Sequence, residues 1–510
     1  MDLDLLVIGS GPAGQKAAIQ AAKLGKRVAV VERRERLGGV SIHTGTIPSK
    51  TLREAVFEEV ARRGFEVSSM GLVDREARER AALESLMDRT ARVIGAEAQV
   101  VREQFRRNGV ATLLGTASFV DEHRVRVDDG ATELEVEAEQ IVIAVGTTPA
   151  RPKDVEFDDR RVIDSDGILK LEQRVPRTMT VVGAGVIGIE YTSMFAALGT
   201  KVTVVDGRAR LLPFLDAEIA EALQYLLRRR SVTFRFGERV ERVELRPEGA
   251  LTRLASGKQL PSDTVLYASG RQGAVADLGL ERIGIEPSGR GQIPVDEAHR
   301  TSIPHIFAVG DVAGPPGLAA TAFEQGRHAA RLAFGDAPQQ HPELVPTGVY
   351  AIPEVGMVGR TEEELTEATV PYVAGIARFS ELARGVMTGD EDGMLKILVS
   401  PEDRTLLGVH ALGTSAADLV HIGQAVMAGG ASVDFLVDAV FNYPTFAESY
   451  KVAALDAVNR LGLIPAASPE PDAARPTGAL AHAPGSGPRP EGHSEPEPTG
   501  VADADDGSVQ

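Results

Sequence analysis

The chain has 510 residues, a formal net charge of −18, and neither cysteine nor tryptophan. Its length exceeds what one hydrophobic core fills and points to about three domains of roughly 100–200 residues each. The acidic balance argues against a nucleic-acid surface, whose phosphates need clustered Lys and Arg, and no run of about 20 apolar residues offers a membrane span. The absence of cysteine excludes disulfides, cysteine nucleophiles, thiolate zinc sites and cysteine-ligated iron–sulfur clusters. The ten histidines are scattered without ligand spacing, so no metal is expected.

The segment from Met1 to Ile8 has neither a basic stretch nor a cleavage site, which predicts a cytoplasmic protein. Residues 4–8 (Asp-Leu-Leu-Val-Ile) read as a buried parallel strand, and Gly9-Ser-Gly11-Pro-Ala-Gly14 follows at once. A helix pattern from about Gln15 to Leu24 leads to a second strand, Arg27–Val31. That strand ends in Glu32, close to the spacing of about 20 residues expected for a ribose-binding acid. Gly9 allows the tight turn, Gly11 lets a pyrophosphate approach the backbone, and Gly14 lets helix and strand pack closely, with the helix N-terminus facing the anion. The unit then recurs. Residues 178–182 run into Gly183-Ala-Gly185-Val-Ile-Gly188, a helix pattern to about Leu198, a strand at Lys201–Val205, and an acid at Asp206 in the same spacing. Two such fingerprints imply an α/β fold with two Rossmann-like domains and two dinucleotides, whose natural chemistry is hydride transfer between a flavin and a nicotinamide. Residues 465–510 hold eight acids against Arg475 and Arg489, nine of the 29 prolines and no aromatic residue, and are expected to form a disordered tail.

From residue 1 to about 464 the chain resembles the flavoprotein disulfide reductases, the group of lipoamide dehydrogenase and glutathione reductase. The resemblance implies FAD at the first fingerprint, held by Gly9, Gly11, Gly14 and Glu32. Ile141–Gly146 resembles the strand and turn where the family's chain leaves the FAD domain. Thr301–Asp311 resembles its second FAD motif, which adds Gly310 and Asp311, the latter at the ribityl chain. Ala268-Ser-Gly270-Arg271 resembles the return to that domain, and Pro346–Glu362 the start of its dimerisation domain. The implied organisation is an FAD domain from 1–150 and 271–345, an NAD(P) domain from 151–270, and an α+β dimerisation domain from 346–464 that makes a homodimer or larger homo-oligomer. The family signature G-G-x-C-x-x-x-x-C-I-P-S-K reads here Gly38-Gly39-Val40-Ser41-Ile42-His43-Thr44-Gly45-Thr46-Ile47-Pro48-Ser49-Lys50. Ser41 and Thr46 replace both cysteines, and hydroxyls form no disulfide, so the flavin has no dithiol partner. The family's H-P-T-x-x-E reads Tyr443-Pro444-Thr445-Phe446-Ala447-Glu448, which substitutes a phenol with a pKa near 10 for the expected base. Lys50 and Glu190, which meet beside the reactive flavin nitrogen in the family, are retained.

Within the family, Thr46 with His43, Asn442-Tyr443-Pro444-Thr445 and Asp164-Ser165-Asp166 resemble the soluble pyridine nucleotide transhydrogenases, a branch that keeps the first cysteine, so that Ser41 departs from it. The implied reaction is a ping-pong transfer of hydride between NADP(H) and NAD(H) through FAD. Asp206 suits a free 2′-hydroxyl, whereas Arg208 and Arg210 either meet a 2′-phosphate or are ordinary loop arginines. Two alternatives stay open: an NAD(P)H:quinone or other-acceptor oxidoreductase, and a non-catalytic nucleotide-sensing or scaffold flavoprotein.

Overall fold

The computed structural model describes residues 2–66, 75–171, 175–336 and 344–463; the 465–510 tail lies outside them. Strand β1 (Asp2–Ile8) is apolar from Leu5 to Ile8, and the glycine turn cuts it too short for a core helix. Helix α1 (Pro12–Lys23) opens on Pro12, where a missing N–H costs nothing. Strand β2 (Val28–Glu32) lies parallel to β1, with Val30 opposite Val7. Helices α2 (Gly39–His43) and α3 (Thr46–Glu66) carry Ser41 and Lys50, and α4 (Arg75–Arg107) leads to β3 (Ala111–Leu114). Strands β4 (Thr116–Phe119), β5 (Arg124–Asp128) and β6 (Glu133–Ile143) complete a sheet ordered β3-β2-β1-β6-β5-β4. Alternation along β1 sends Leu6 and Ile8 into a core with Phe119 and Val136, and Leu5 and Val7 into another with Ala17 and Phe105. Both faces are covered, as a parallel sheet requires.

Strand β7 (Thr147–Pro149) leaves this sheet for a second one. There β8 (Val162–Asp164), β9 (Thr178–Val182), α5 (Val186–Ala197), β10 (Lys201–Asp206), α6 (Ala217–Arg229) and β11 (Thr233–Phe236) repeat the strand–helix alternation. The antiparallel strands β12 (Val240–Arg246), β13 (Gly249–Leu254) and β14 (Gln259–Ser262) precede β15 (Thr264–Tyr267). The parallel order is β11-β10-β9-β15-β8. Val204 and Leu266 pack with Phe195 and Leu223 of α5 and α6, while Val182 and Val265 face Val243 and Ala250 of the smaller sheet. Strand β16 (Arg271–Gly273) pairs antiparallel with β7, so the outgoing and returning crossings form one ribbon. Strand β17 (Ile306–Ala308) then rejoins β6, and α7 (Ala319–Ala333) packs on α1.

The C-terminal lobe comprises β18 (Thr347–Val349), β19 (Val355–Gly359), α8 (Glu362–Glu367), β20 (Val373–Arg378), α9 (Ala383–Thr388), β21 (Met394–Val399), β22 (Leu406–Leu412), α10 (Ala416–Ala428), α11 (Val433–Asp438) and α12 (Ser449–Leu461). Its sheet is antiparallel in the order β18-β19-β22-β21-β20. One buried charge ties it to the second parallel sheet's lobe: Lys396 of β21 has no exposed surface, and its Nζ lies 2.9 Å from Asp216, 3.1 Å from Glu218 and 3.3 Å from Glu362. Burial opposes the ammonium, but the hydrogen bond and charge of Asp216, with Glu218 and Glu362, outweigh it and raise the lysine pKa.

Candidate functional site

The two fingerprints fold alike. Gly9 has φ +106°, and a Cβ there would stand 2.4 Å from the Ala144 carbonyl oxygen; a Cβ on Gly14 would stand 2.0 Å from the Gly9 carbonyl oxygen. Gly183 and Gly188 repeat both relations, with Ala268 at 2.5 Å and Gly183 at 2.0 Å. Only glycine is compatible with such approaches. The acids also match. Glu32 accepts the Ser10 N–H at 3.1 Å, and Asp206 accepts the equivalent Ala184 N–H at 2.6 Å, so each acid braces its own glycine turn. At Gly11 and Gly185, by contrast, nothing stands within 4 Å of a Cβ position. That open space lies at the N-termini of α1 and α5, whose first turns hold no acidic residue, and it fits a pyrophosphate received by helix N–H groups.

A cleft runs along the first fingerprint and brings together Gly9, Gly11, Glu32, Gly146, Gly310 and Asp311. Gly14 lies behind it, in the helix–strand contact. The Thr147 hydroxyl donates to Asp311 at 3.2 Å and accepts from Arg271 Nε at 2.8 Å, so the β7–β16 ribbon positions this carboxylate. Ser41 and Thr46 also line the cleft, as does Asp166, which burial pushes above the usual carboxylate range while Arg271, 3.7 Å away, pulls it back. Asp164 has a local task, accepting the N–H groups of Asp166 and Gly167 at 2.9 Å each.

Beside the cleft, Lys50 Nζ contacts both oxygens of Glu190, at 2.9 and 2.7 Å. Glu190 is buried on α5, and the Tyr350 N–H donates to it at 3.0 Å. The Tyr350 ring lies 4.8 Å from Lys50 Nζ. Ser193 accepts the Ile352 N–H, and Arg53 of α3 pairs with buried Glu354 at 2.9 Å. Three chain regions thus converge on one ion pair. Sequence reasoning missed Tyr350, because its part is played by a backbone N–H and a ring face brought from the C-terminal lobe, and no local spacing announces either.

At the second fingerprint, Arg208 holds both oxygens of Asp206, at 2.9 and 2.7 Å. Burial disfavours the Asp206 carboxylate, but these bonds dominate and lower its pKa. Arg210, expected beside Arg208 at a 2′-phosphate, points elsewhere: it donates to the Pro213 carbonyl at 2.5 Å and meets Glu363 at 3.5 Å. The loop before α6 and the C-terminal lobe capture it. Gly270 has φ +118° with open space around it. Tyr443 is exposed on the C-terminal lobe and lies outside the cleft lining. Among the described residues, no group of three His, Asp or Glu is arranged to hold a metal ion, and no helix is long and apolar enough to cross a membrane.

Residues 3–326 match the family model described as pyridine nucleotide-disulphide oxidoreductase, and residues 345–454 match its dimerisation domain. The chain is 55% identical over 462 residues to a soluble pyridine nucleotide transhydrogenase of Mycobacterium bovis, covering 90% of this chain and 98% of that protein. It is 46% identical to one of Hahella chejuensis, again over 90% of this chain and 98% of the relative. Among solved structures, the HOCl-induced flavoprotein disulfide reductase RclA of Escherichia coli superposes with a TM-score of 0.79 at 28% identity, covering 89% of this chain and 99% of that one. LpdA of Mycobacterium tuberculosis superposes with a TM-score of 0.80 at 25% identity over 88% and 99%. With the fold, the paired fingerprints and these matches in agreement, the chain belongs to the pyridine nucleotide-disulphide oxidoreductase family.

Proposed function

We propose that this chain is a soluble FAD-dependent pyridine nucleotide transhydrogenase, passing hydride between NADP(H) and NAD(H). One observation carries the reading: the Lys50–Glu190 pair is intact beside a cleft that presents the Ser41 and Thr46 hydroxyls where the family signature has thiols. The relatives at 46–55% identity bear the transhydrogenase name. Residues 1–150 with 271–345 form the FAD domain, 151–270 the nucleotide domain and 346–464 the homodimer interface, where Phe435, Val440 and Tyr443 are exposed. Gly9, Gly11 and Gly14 serve the FAD pyrophosphate, Glu32 the adenosine ribose and Asp311 the ribityl chain. Gly183, Gly185, Gly188, Asp206, Arg208 and Gly270 serve the nicotinamide nucleotide. The place of action is the cytoplasm.

Bound flavin supplies an acceptor and donor of hydride. The chain contributes position and charge. Lys50 sets a positive charge at the redox face, where it favours the negative charge arriving with the electrons. Glu190 offsets the cost of holding that ammonium partly buried, and the Tyr350 N–H fixes the carboxylate's orientation. Since no thiol is present to take electrons onward, a second nucleotide collects them. The test is anaerobic: NADPH is expected to bleach the flavin absorbance of the purified protein and NAD⁺ to restore it. A flavin that NADPH bleaches and NAD⁺ leaves bleached overturns the reading.

A further inference from the structure

A pocket that accepts both a ribose 2′-hydroxyl and a 2′-phosphate has an electrostatic conflict to settle, because the carboxylate that suits the hydroxyl repels the phosphate. Here Asp206 is already neutralised. Its two oxygens accept from the Ala184 N–H, the Arg208 N–H and the Arg208 guanidinium, so Arg208 is committed as well. Arg210 is held by Pro213 and Glu363. A phosphate at this edge therefore needs a cation from elsewhere.

The turn after β11 brings one. The Gly237 N–H donates to the Arg208 carbonyl at 3.0 Å and the Glu238 N–H to the Asp206 carbonyl at 3.2 Å, which clamps this turn against the Asp206–Arg208 loop. Next in the chain is Arg239, whose Cγ lies 3.8 Å from where a Cβ on Gly207 would stand. Arg239 is exposed and, among the described residues, its side chain makes no hydrogen bond or ion pair. Its acidic neighbour Glu238 does not capture it, being bonded to Lys258 at 2.8 Å and Ser256 at 2.9 Å. Gly207 has no side chain to screen Arg239 from the ribose edge of Asp206.

The geometry points to Arg239 as the residue that recognises the 2′-phosphate of NADP(H), while the closed Asp206–Arg208 pair forms a neutral floor that accepts either ribose. This inference rests on the transhydrogenase reading and names the residue that lets one site take both nucleotides. A guanidinium matches the phosphate in charge and fork geometry, and the ribose of NAD(H) offers it no anion to pair with.

ADP-ribose and 2′-phospho-ADP-ribose carry no nicotinamide, so calorimetric titration of the FAD-loaded protein with each reads recognition apart from hydride transfer. Arg239→Ala is expected to weaken 2′-phospho-ADP-ribose about tenfold and ADP-ribose by no more than about twofold. Arg239→Lys is expected to recover part of the loss. Equal weakening of both ligands, which places Arg239 on the adenine, overturns the inference, as does an unchanged affinity for both. If Arg239→Ala shows this selective loss while the wild-type protein fails to pass hydride from NADPH to NAD⁺, the transhydrogenase reading is overturned and the role of Arg239 stands.

Discussion

Asp166 shows how far one side chain's chemistry depends on its surroundings. It faces the same cleft as Ser41 and Thr46, and burial raises its pKa, with Arg271 only partly compensating. A carboxyl whose folded pKa is raised adds stability below its unfolded pKa and loses that contribution as pH rises through the folded value. Asp166→Asn is therefore expected to raise the thermal midpoint at pH 7 to 8, and the advantage should vanish toward acid pH, below the ordinary value of 3.8. Melting curves across pH check the sign. Arg208 and Arg210 carry the opposite lesson: two apart in sequence and identical in chemistry, they end on Asp206 and on Pro213 with Glu363, because the chain turns between them to enter α6.

At the scale of elements, the two strand–glycine–helix units are the part of the molecule most legible in sequence. Their function needs consecutive residues: a buried strand, a turn only glycine can make, a helix N-terminus and an acid that returns to brace the turn. The glycines nonetheless differ in task, which predicts different variants. Gly14→Ala forces a methyl to within 2.0 Å of the Gly9 carbonyl and is expected to cost about 3 kcal/mol of stability. Gly11→Ala meets nothing within 4 Å in the protein and is expected to fold normally, yet purify with little flavin, because its methyl occupies the pyrophosphate's space. Denaturant unfolding and the flavin-to-protein absorbance ratio separate the two. The Lys50–Glu190 contact was legible only through family resemblance, since 140 residues separate the pair. Tyr350, a further 160 residues from Glu190, was not legible at all.

The whole molecule depends on contacts between lobes, and the buried Lys396 cluster is the clearest. Lys396→Met leaves Asp216 buried without its cation and is expected to cost roughly 3–5 kcal/mol. Adding Asp216→Leu is expected to recover much of the loss, which denaturant midpoints of the single and double variants check. Both ends of the pH scale should weaken the clasp. The raised pKa of Lys396 makes its contribution complete below 10.5 and lost as pH climbs through the higher folded value, whereas the lowered pKa of Asp216 keeps its share above 3.8 and loses it in acid.

The two nucleotide folds, the missing dithiol and the retained lysine and glutamate can be read along the chain, because each is written in residue types at short, fixed spacings. Tertiary structure alone decided which arginine is committed to Asp206, which is turned away and which is left facing Gly207, and it alone brought Tyr350 and Glu354 to the Lys50 helix. Those outcomes depend on which side chains compete for one partner in three dimensions, a competition that no spacing along the chain records.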